Sequence, residues 1–232
     1  RALRDRPGEE GLRAFVGSIL GLSRERRSGV IREALRRIRP GDDGEGPRTW
    51  VGRLATAFPE DAGVLGPVLM NLVTLEPGEA LSVAPGELHA YLGGTGIEIM
   101  ASSDNVVRGG LTTKAVDRAE LLRVASFHSG AVQILRSEED RPGLSVYPTD
   151  AAEFQLGRIQ VRPERDLEGS GERGVEIHLC LEGEGAFLRG GGEGAVPFSR
   201  GDSLLVPAGV PGYRIRGDAV LYRAAIPPRI RA

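Results

Sequence analysis

His89 and Tyr91 stand two residues apart in a short run, HAYL, that follows an Ala-Pro-Gly-Glu turn. In a β-strand that spacing sends both side chains to one face. An imidazole so placed is a metal ligand or a proton carrier; the blander reading is a hydrogen-bonded core histidine. Tyr91 lines a pocket or simply packs. Glu98 lies between Ile97 and Ile99 and shares its side of the run with Met100. A carboxylate facing a closed interior can act as a base, and the same alternation fits one facing water. Asp104 and Asn105 read as a turn. Arg108 follows Val106-Val107 and precedes Gly109-Gly110, where two glycines let the backbone pass close to a ligand. Lys114 is the one lysine among 30 basic residues. Its ammonium is a compact charge with freely turned donors, unlike the planar fork of arginine. The plainer reading is a surface lysine at a helix start.

Other polar groups are less pointed. His178, Cys180 and Glu182 alternate on one predicted strand with metal-ligand spacing. No second strand of ligands accompanies them, so a core histidine beside a buried cysteine is the plainer account. His128 reads as a cap at a helix end. The arginine groups at 24–27 and 36–39 read as solvated helix faces.

These residues need elements to hold them, and the hydrophobic period supplies the division. From 9 to 22, Leu12, Phe15, Val16, Ile19 and Leu20 recur at helical spacing. Ser23 is placed to cap a second helix carrying Val30, Ile31, Leu35 and Ile38, which Pro40 ends. Trp50, Leu54, Ala55 and Phe58 predict a third, stopped by Pro59. Residues 1–67 are therefore expected to form a helical domain. Short strands between Pro/Gly turns follow at 68–75, 81–84, 89–92 and 97–102, then a helix over 115–127. Residues 137–143 read as a charged linker. Strands resume at 154–161, 175–182, 186–189, 203–207, 213–215 and 220–225. The expected domains are 1–67, 68–136 and 137–232.

Composition excludes several classes. Net charge is −2, which gives no basic footprint for nucleic acid. No apolar run approaches the ~20 residues of a membrane span, and the polar start RALRDRPGEEG shows no signal peptide. A single cysteine suits a reducing cytoplasm. With 34 glycines and 15 prolines, mostly after residue 76, the later chain is turn-rich and β.

An internal repeat links the two β regions. Gly78, Gly86 and His89 recur as Gly201, Gly209 and Gly212, an offset of 123. Both copies run glycine, acidic residue, short strand, turn, strand, which resembles the second half of a cupin motif. The first copy keeps its histidine and the second has glycine there.

The runs NLVTLEPGEAL, APGELHAYL, GIEIMASSDNVVRGGLTTK and YPTDAAEFQL resemble class I mannose-6-phosphate isomerase, in its C-terminal portion. The resemblance implies a mainly β fold of tandem cupin-like (jelly-roll) barrels, with a helical domain at the N-terminal end. It implies a zinc-dependent aldose–ketose isomerase acting on mannose 6-phosphate and fructose 6-phosphate. His89 would be a metal ligand. Arg108 would be the catalytic arginine and Glu98 a base. Tyr91, Asp104 and Lys114 would bind the sugar phosphate. The family's upstream Gln-x-His pair and glutamate have no counterpart here, so a missing N-terminal half is expected to complete the zinc site. The alternatives are a sugar-binding or regulatory cupin lobe without catalysis, and a cupin enzyme on another substrate.

Overall fold

The computed structural model describes residues 2–37, 45–103, 105–169, 173–190 and 194–227. They form two compact units, each described by itself. The first comprises the described residues within 1–74, 83–95 and 104–133, and the second those within 75–82, 96–103 and 134–232.

The first unit is helical. Its elements are α1 (Ala2–Asp5), α2 (Glu9–Leu20), α3 (Arg24–Arg37), α4 (Pro47–Ala57), a 3₁₀ turn (Ala62–Leu65), α5 (Gly66–Leu69) and α6 (Arg118–Val124). The helical period of α2 to α4 is met by one apolar core. Ile19, Leu20, Ile31, Val51, Val64, Leu65, Leu121 and Phe127 are buried in it. Ser23 Oγ accepts weakly from Arg26 N at 3.5 Å, at the start of α3. The predicted end of that helix at Pro40 lies outside the described residues. The helix expected over 115–127 is shorter. Asp117 caps α6 by accepting from Glu120 N at 2.9 Å, which fixes its start at Arg118. His128 therefore does not cap a helix; its ring meets Ser126 Oγ and Glu9 Oε1, each at 2.7 Å.

The second unit is β. A small pair joins β1 (Glu79–Ala80) to β2 (Leu135–Arg136). The main sheet is antiparallel and contains β3 (Glu138–Arg141), β4 (Leu144–Val146), β5 (Gln155–Val161), β6 (Leu167–Gly169), β7 (Glu176–Arg189), β8 (Ala195–Ser199), β9 (Ser203–Val206) and β10 (Tyr213–Ala225). Its order is β3-β4-β5-β10-β7-β8, with β6 on β10 and β9 on β7. Inward residues alternate along β5, β7 and β10. Leu144, Ile159, Val161, Phe187, Ile215 and Leu221 fill the core they face. The 137–143 linker is instead largely strand β3, paired with β4.

Two pairs of predicted strands merge. Strands are expected at 175–182 and 186–189, yet β7 runs through Gly183 and Gly185 unbroken. A Cβ on Gly185 would fall 2.8 Å from Phe198 Cζ, so glycine there permits close strand approach. Likewise 213–215 and 220–225 are one strand, with a register shift at Val220/Leu221.

The strands expected at 68–75, 81–84, 89–92 and 97–102 do not form ladders among the described residues. A strand exists only where a neighbour takes its N–H and C=O groups. In this region only Glu79–Ala80 has one. The offset repeat makes the contrast plain. Residues 203–206, in the second copy, pair with β7 over four residues, whereas 81–83 of the first copy pair with nothing described.

Candidate active-site wall

The turns that aim the site residues are built alike. At 76–79 the amide of Glu79 donates to Glu76 O (2.9 Å) and the Glu79 carboxylate accepts from Glu76 N (3.0 Å). At 84–87 Glu87 repeats both bonds on Ala84, at 3.1 and 3.0 Å. At 199–202 Asp202 does so on Ser199, at 3.0 and 2.7 Å. Gly78, Gly86 and Gly201 hold φ of 89°, 86° and 95° in these turns, as the third position of a type II turn requires. The 123-residue repeat is thus visible as repeated turn chemistry.

The 84–87 turn delivers His89. Its Nδ1 lies 3.1 Å from the Glu87 carbonyl. With the proton on Nδ1 donated to that oxygen, Nε2 presents its lone pair outward, the tautomer a metal ligand needs. Tyr91 stands beside it, ring centroids 6.1 Å apart and edge-on, and is 76% exposed. The i, i+2 reading of a shared face therefore holds for the side chains, though the backbone is not laddered.

Arg108 and Lys114 belong to the same unit as His89 and are exposed. Gly109 ties Arg108 to the histidine segment. A Cβ on Gly109 would sit 3.6 Å from Leu88 Cδ2 and 3.7 Å from Leu121 Cδ2, so the two segments pack together on α6. Thr112 Oγ1 accepts from Lys114 N at 3.1 Å, fixing the backbone before α6. Lys114 is thus four residues ahead of the helix, not at its start. Glu98 belongs to the second unit. It is exposed together with Met100, while Ile97 and Ile99 are half-buried. Asp104 lies outside the described residues.

His178, Cys180 and Glu182 do not converge. The first two are fully buried and Glu182 is exposed, because β7 shifts register past Cys180. Burial pushes the Cys180 thiol up. His178 instead sits in a polar group of the second unit that the sequence did not signal. Tyr213 Oη donates to Glu176 Oε2 at 2.7 Å, and Arg223 Nη1 donates to Glu176 Oε1 at 3.1 Å. His178 Nε2 lies 3.3 Å from Tyr213 Oη. Burial drives the His178 pKa down, only partly opposed by Glu176. Burial also pushes Glu176 up, but bonds from His178 and Tyr213 and the Arg223 charge outweigh it and hold the carboxyl low.

Among the described residues no group of three His, Cys, Asp or Glu side chains is placed to hold a metal ion. Zinc sites use three or four protein ligands. His89 fits as one of them, and the described residues alone do not make a zinc centre.

Comparison with known proteins supplies the context. No protein-family model matches the chain. Mannose-6-phosphate isomerase 1 of Arabidopsis thaliana is 36% identical over 178 residues, covering 76% of this chain and 41% of the relative. The chain is homologous to mannose-6-phosphate isomerases. The Escherichia coli K12 enzyme of that name is 29% identical over 223 residues, covering 94% of this chain and 54% of the relative. A solved mannose 6-phosphate isomerase from Salmonella typhimurium, bound to its substrate fructose 6-phosphate and to zinc, superposes with a TM-score of 0.80 at 25% identity. That match covers 97% of this chain and 56% of the other. The chain thus spans about half the length of the mannose-6-phosphate isomerases it matches. No helix among the described residues is long and apolar enough to cross a membrane.

Proposed function

We propose that this chain carries part of a zinc-dependent isomerase interconverting mannose 6-phosphate and fructose 6-phosphate. In this reading the first-unit segments 83–95 and 105–114 contribute to the site of a cupin-like barrel, and a second cupin-like barrel follows. The opposite wall and the remaining zinc ligands come from polypeptide outside this sequence.

The observation that carries the reading is a set of exposed apolar residues outside any ladder, in the stretches that flank the chemical groups. Met70, Val83 and Val106 of the first unit are 41 to 57% exposed. Surfaces of this kind mark interaction sites, and unpaired extended segments accept added strands. The homologues, twice as long, offer a source for both.

Each residue then has a task. His89 presents Nε2 as one zinc ligand, oriented by the Glu87 carbonyl. Isomerisation moves a proton between C1 and C2, and negative charge grows on the sugar oxygens as it moves. Arg108 stabilises that charge. Glu98 carries or orients the proton. Tyr91, Asp104 and Lys114 hold the sugar and its phosphate. Zinc, when bound, polarises the sugar carbonyl.

One observation favours the alternative of a sugar-binding lobe without catalysis: the described residues lack a three-ligand group. The test is turnover of mannose 6-phosphate by the chain alone and by the chain joined to the upstream half of a homologue. Activity that appears only on joining supports the proposal. Sugar-phosphate binding with no turnover in the joined protein establishes the lobe instead.

A further inference from the structure

Two non-glycine residues among those described hold positive φ, Glu60 at 72° and Leu111 at 53°. They lie at one junction of the first unit. Glu60 sits in the turn that ends α4, and Leu111 sits three residues after Arg108. Left-handed backbone at residues of this kind is strained and persists only where surroundings over-determine it.

The surroundings do so. The Glu60 carboxylate is bonded to Arg24 and lies 3.4 Å from Ser28 Oγ, which pins the turn to α3. The next residue, Asp61, caps the 3₁₀ turn, its Oδ1 accepting from Gly63 N at 2.7 Å. Gly110, at φ 144°, comes down on that cap. A Cβ there would fall 2.6 Å from Asp61 Oδ1 and 3.2 Å from Gly63 Cα and N. From the other side, a Cβ on Gly63 would fall 2.9 Å from Leu111 Cγ and 3.2 Å from Leu111 N. Two glycines are therefore needed for the 108–111 backbone to seat on the Asp61–Gly63 turn. Trp50 makes the parallel contact for the histidine segment, its Cη2 being 3.3 Å from where a Gly93 Cβ would lie.

We infer that Asp61 is a positioning residue for Arg108. Its carboxylate orders the Gly63 amide, the turn receives Gly110, and the backbone leaving Arg108 is thereby fixed. The inference rests on the reading that Arg108 faces the sugar phosphate. The helical part of the chain then has a duty beyond spacing: it sets the place of a charge that must meet developing negative charge. Misplacement of about 1 Å costs on the order of a hundredfold in rate.

The experiment uses the chain joined to the upstream half of a homologue, with Asp61→Ala, Asp61→Asn and Gly110→Ala. Asn keeps a carbonyl oxygen for the Gly63 amide. The expected result is a ten- to hundredfold fall in kcat for Asp61→Ala with KM within about twofold, and recovery in Asp61→Asn. Gly110→Ala should behave as Asp61→Ala does. Amide NMR of the chain alone should show faster exchange at Gly63 in Asp61→Ala and Gly110→Ala but not in Asp61→Asn, which checks the contact without activity. Wild-type kcat in Asp61→Ala overturns the inference, as does Asn failing to rescue. An inactive joined wild type overturns the functional reading instead, while the Gly63 exchange still tests the contact.

Discussion

Arg223 and Glu176 meet at 3.1 Å, Nη1 to Oε1, with the arginine side chain 10% and the glutamate 3% exposed. The register of the sheet sets this up. Arg223 lies opposite His178, two residues along the same inward face from Glu176. A buried charge without its partner is far costlier than the pair itself. Arg173 Nε lies 3.5 Å from the other Glu176 oxygen, so Arg223→Met removes one of two guanidinium partners and should destabilise the second unit by about 1–3 kcal/mol. The double variant with Glu176→Gln should lose clearly less than the two single losses added. Chemical denaturation of the three variants, followed by a probe in the sheet, decides. A single-variant loss below about 1 kcal/mol would contradict the pairing.

His178 gives the same sheet a pH dependence. Its folded pKa lies below the ordinary value of about 6.5, chiefly because burial penalises the imidazolium. The groups facing it are Glu176 on its own strand, Tyr213 and Arg223 from β10, and Arg173 just before β7. Below about 6.5 the unfolded chain takes up a proton that the folded chain refuses, so stability falls as pH falls through that value. Glu176, also held low, adds a second loss below the usual glutamate pKa near 4.3. Hydrogen exchange of the β7 amides should thus be flat above about pH 7 and accelerate, after correction for intrinsic rates, toward about pH 5. His178→Gln should flatten that slope. An unchanged slope would reassign it to other groups.

Legibility of the sequence tracked the range of the forces involved. The period of Leu12, Phe15 and Ile19 marks α2 because a helix is decided within itself and by one face. The Pro/Gly turns and the His89–Tyr91 pair were readable for the same reason, since a few residues fix them. Continuity of β7 through Gly183 and Gly185 was hidden because it depends on β10 and β8, far along the chain. Whether the runs at 81–102 form ladders depends on a pairing neighbour, which no local pattern encodes. The contact of Gly110 with Asp61 joins residues 49 apart, and neither residue betrays its partner. Glu176, His178 and Arg223 gave no signal as a group, as two strands bring them together.

On the proposed function His89 is one zinc ligand, and no three-ligand group stands beside it among the described residues, which predicts weak metal binding by the chain alone. His89 presents one imidazole nitrogen, and three or four ligands are needed to retain zinc. The chain alone should lose added zinc on desalting, and His89→Ala should change that little. Joined to the upstream half of a homologue, it should retain about one zinc per chain, and His89→Ala should then release most of it. Metal analysis by mass spectrometry reads both cases. Stoichiometric zinc retained by the chain alone would show that a site exists within this sequence and sink the two-wall proposal.

Arg108 is the sharpest test of chemistry against binding. It is exposed on a backbone seated by Gly109 and Gly110, so its side chain is open to a ligand. A group that acts on charge present only in the transition state lowers kcat when removed and leaves KM nearly alone. Loss of one such donor costs on the order of 10²–10³ in kcat. Arg108→Ala in the joined enzyme should fall in that range with KM within about threefold. Arg108→Lys should recover only part, because a point charge cannot reproduce the planar fork on two neighbouring oxygens. A rise in KM at constant kcat would make Arg108 a phosphate or hydroxyl clamp. Lys114→Ala is the control for that outcome. Its loss should raise KM for the phosphorylated sugar and leave kcat within a few-fold, since a binding charge acts alike on substrate and transition state.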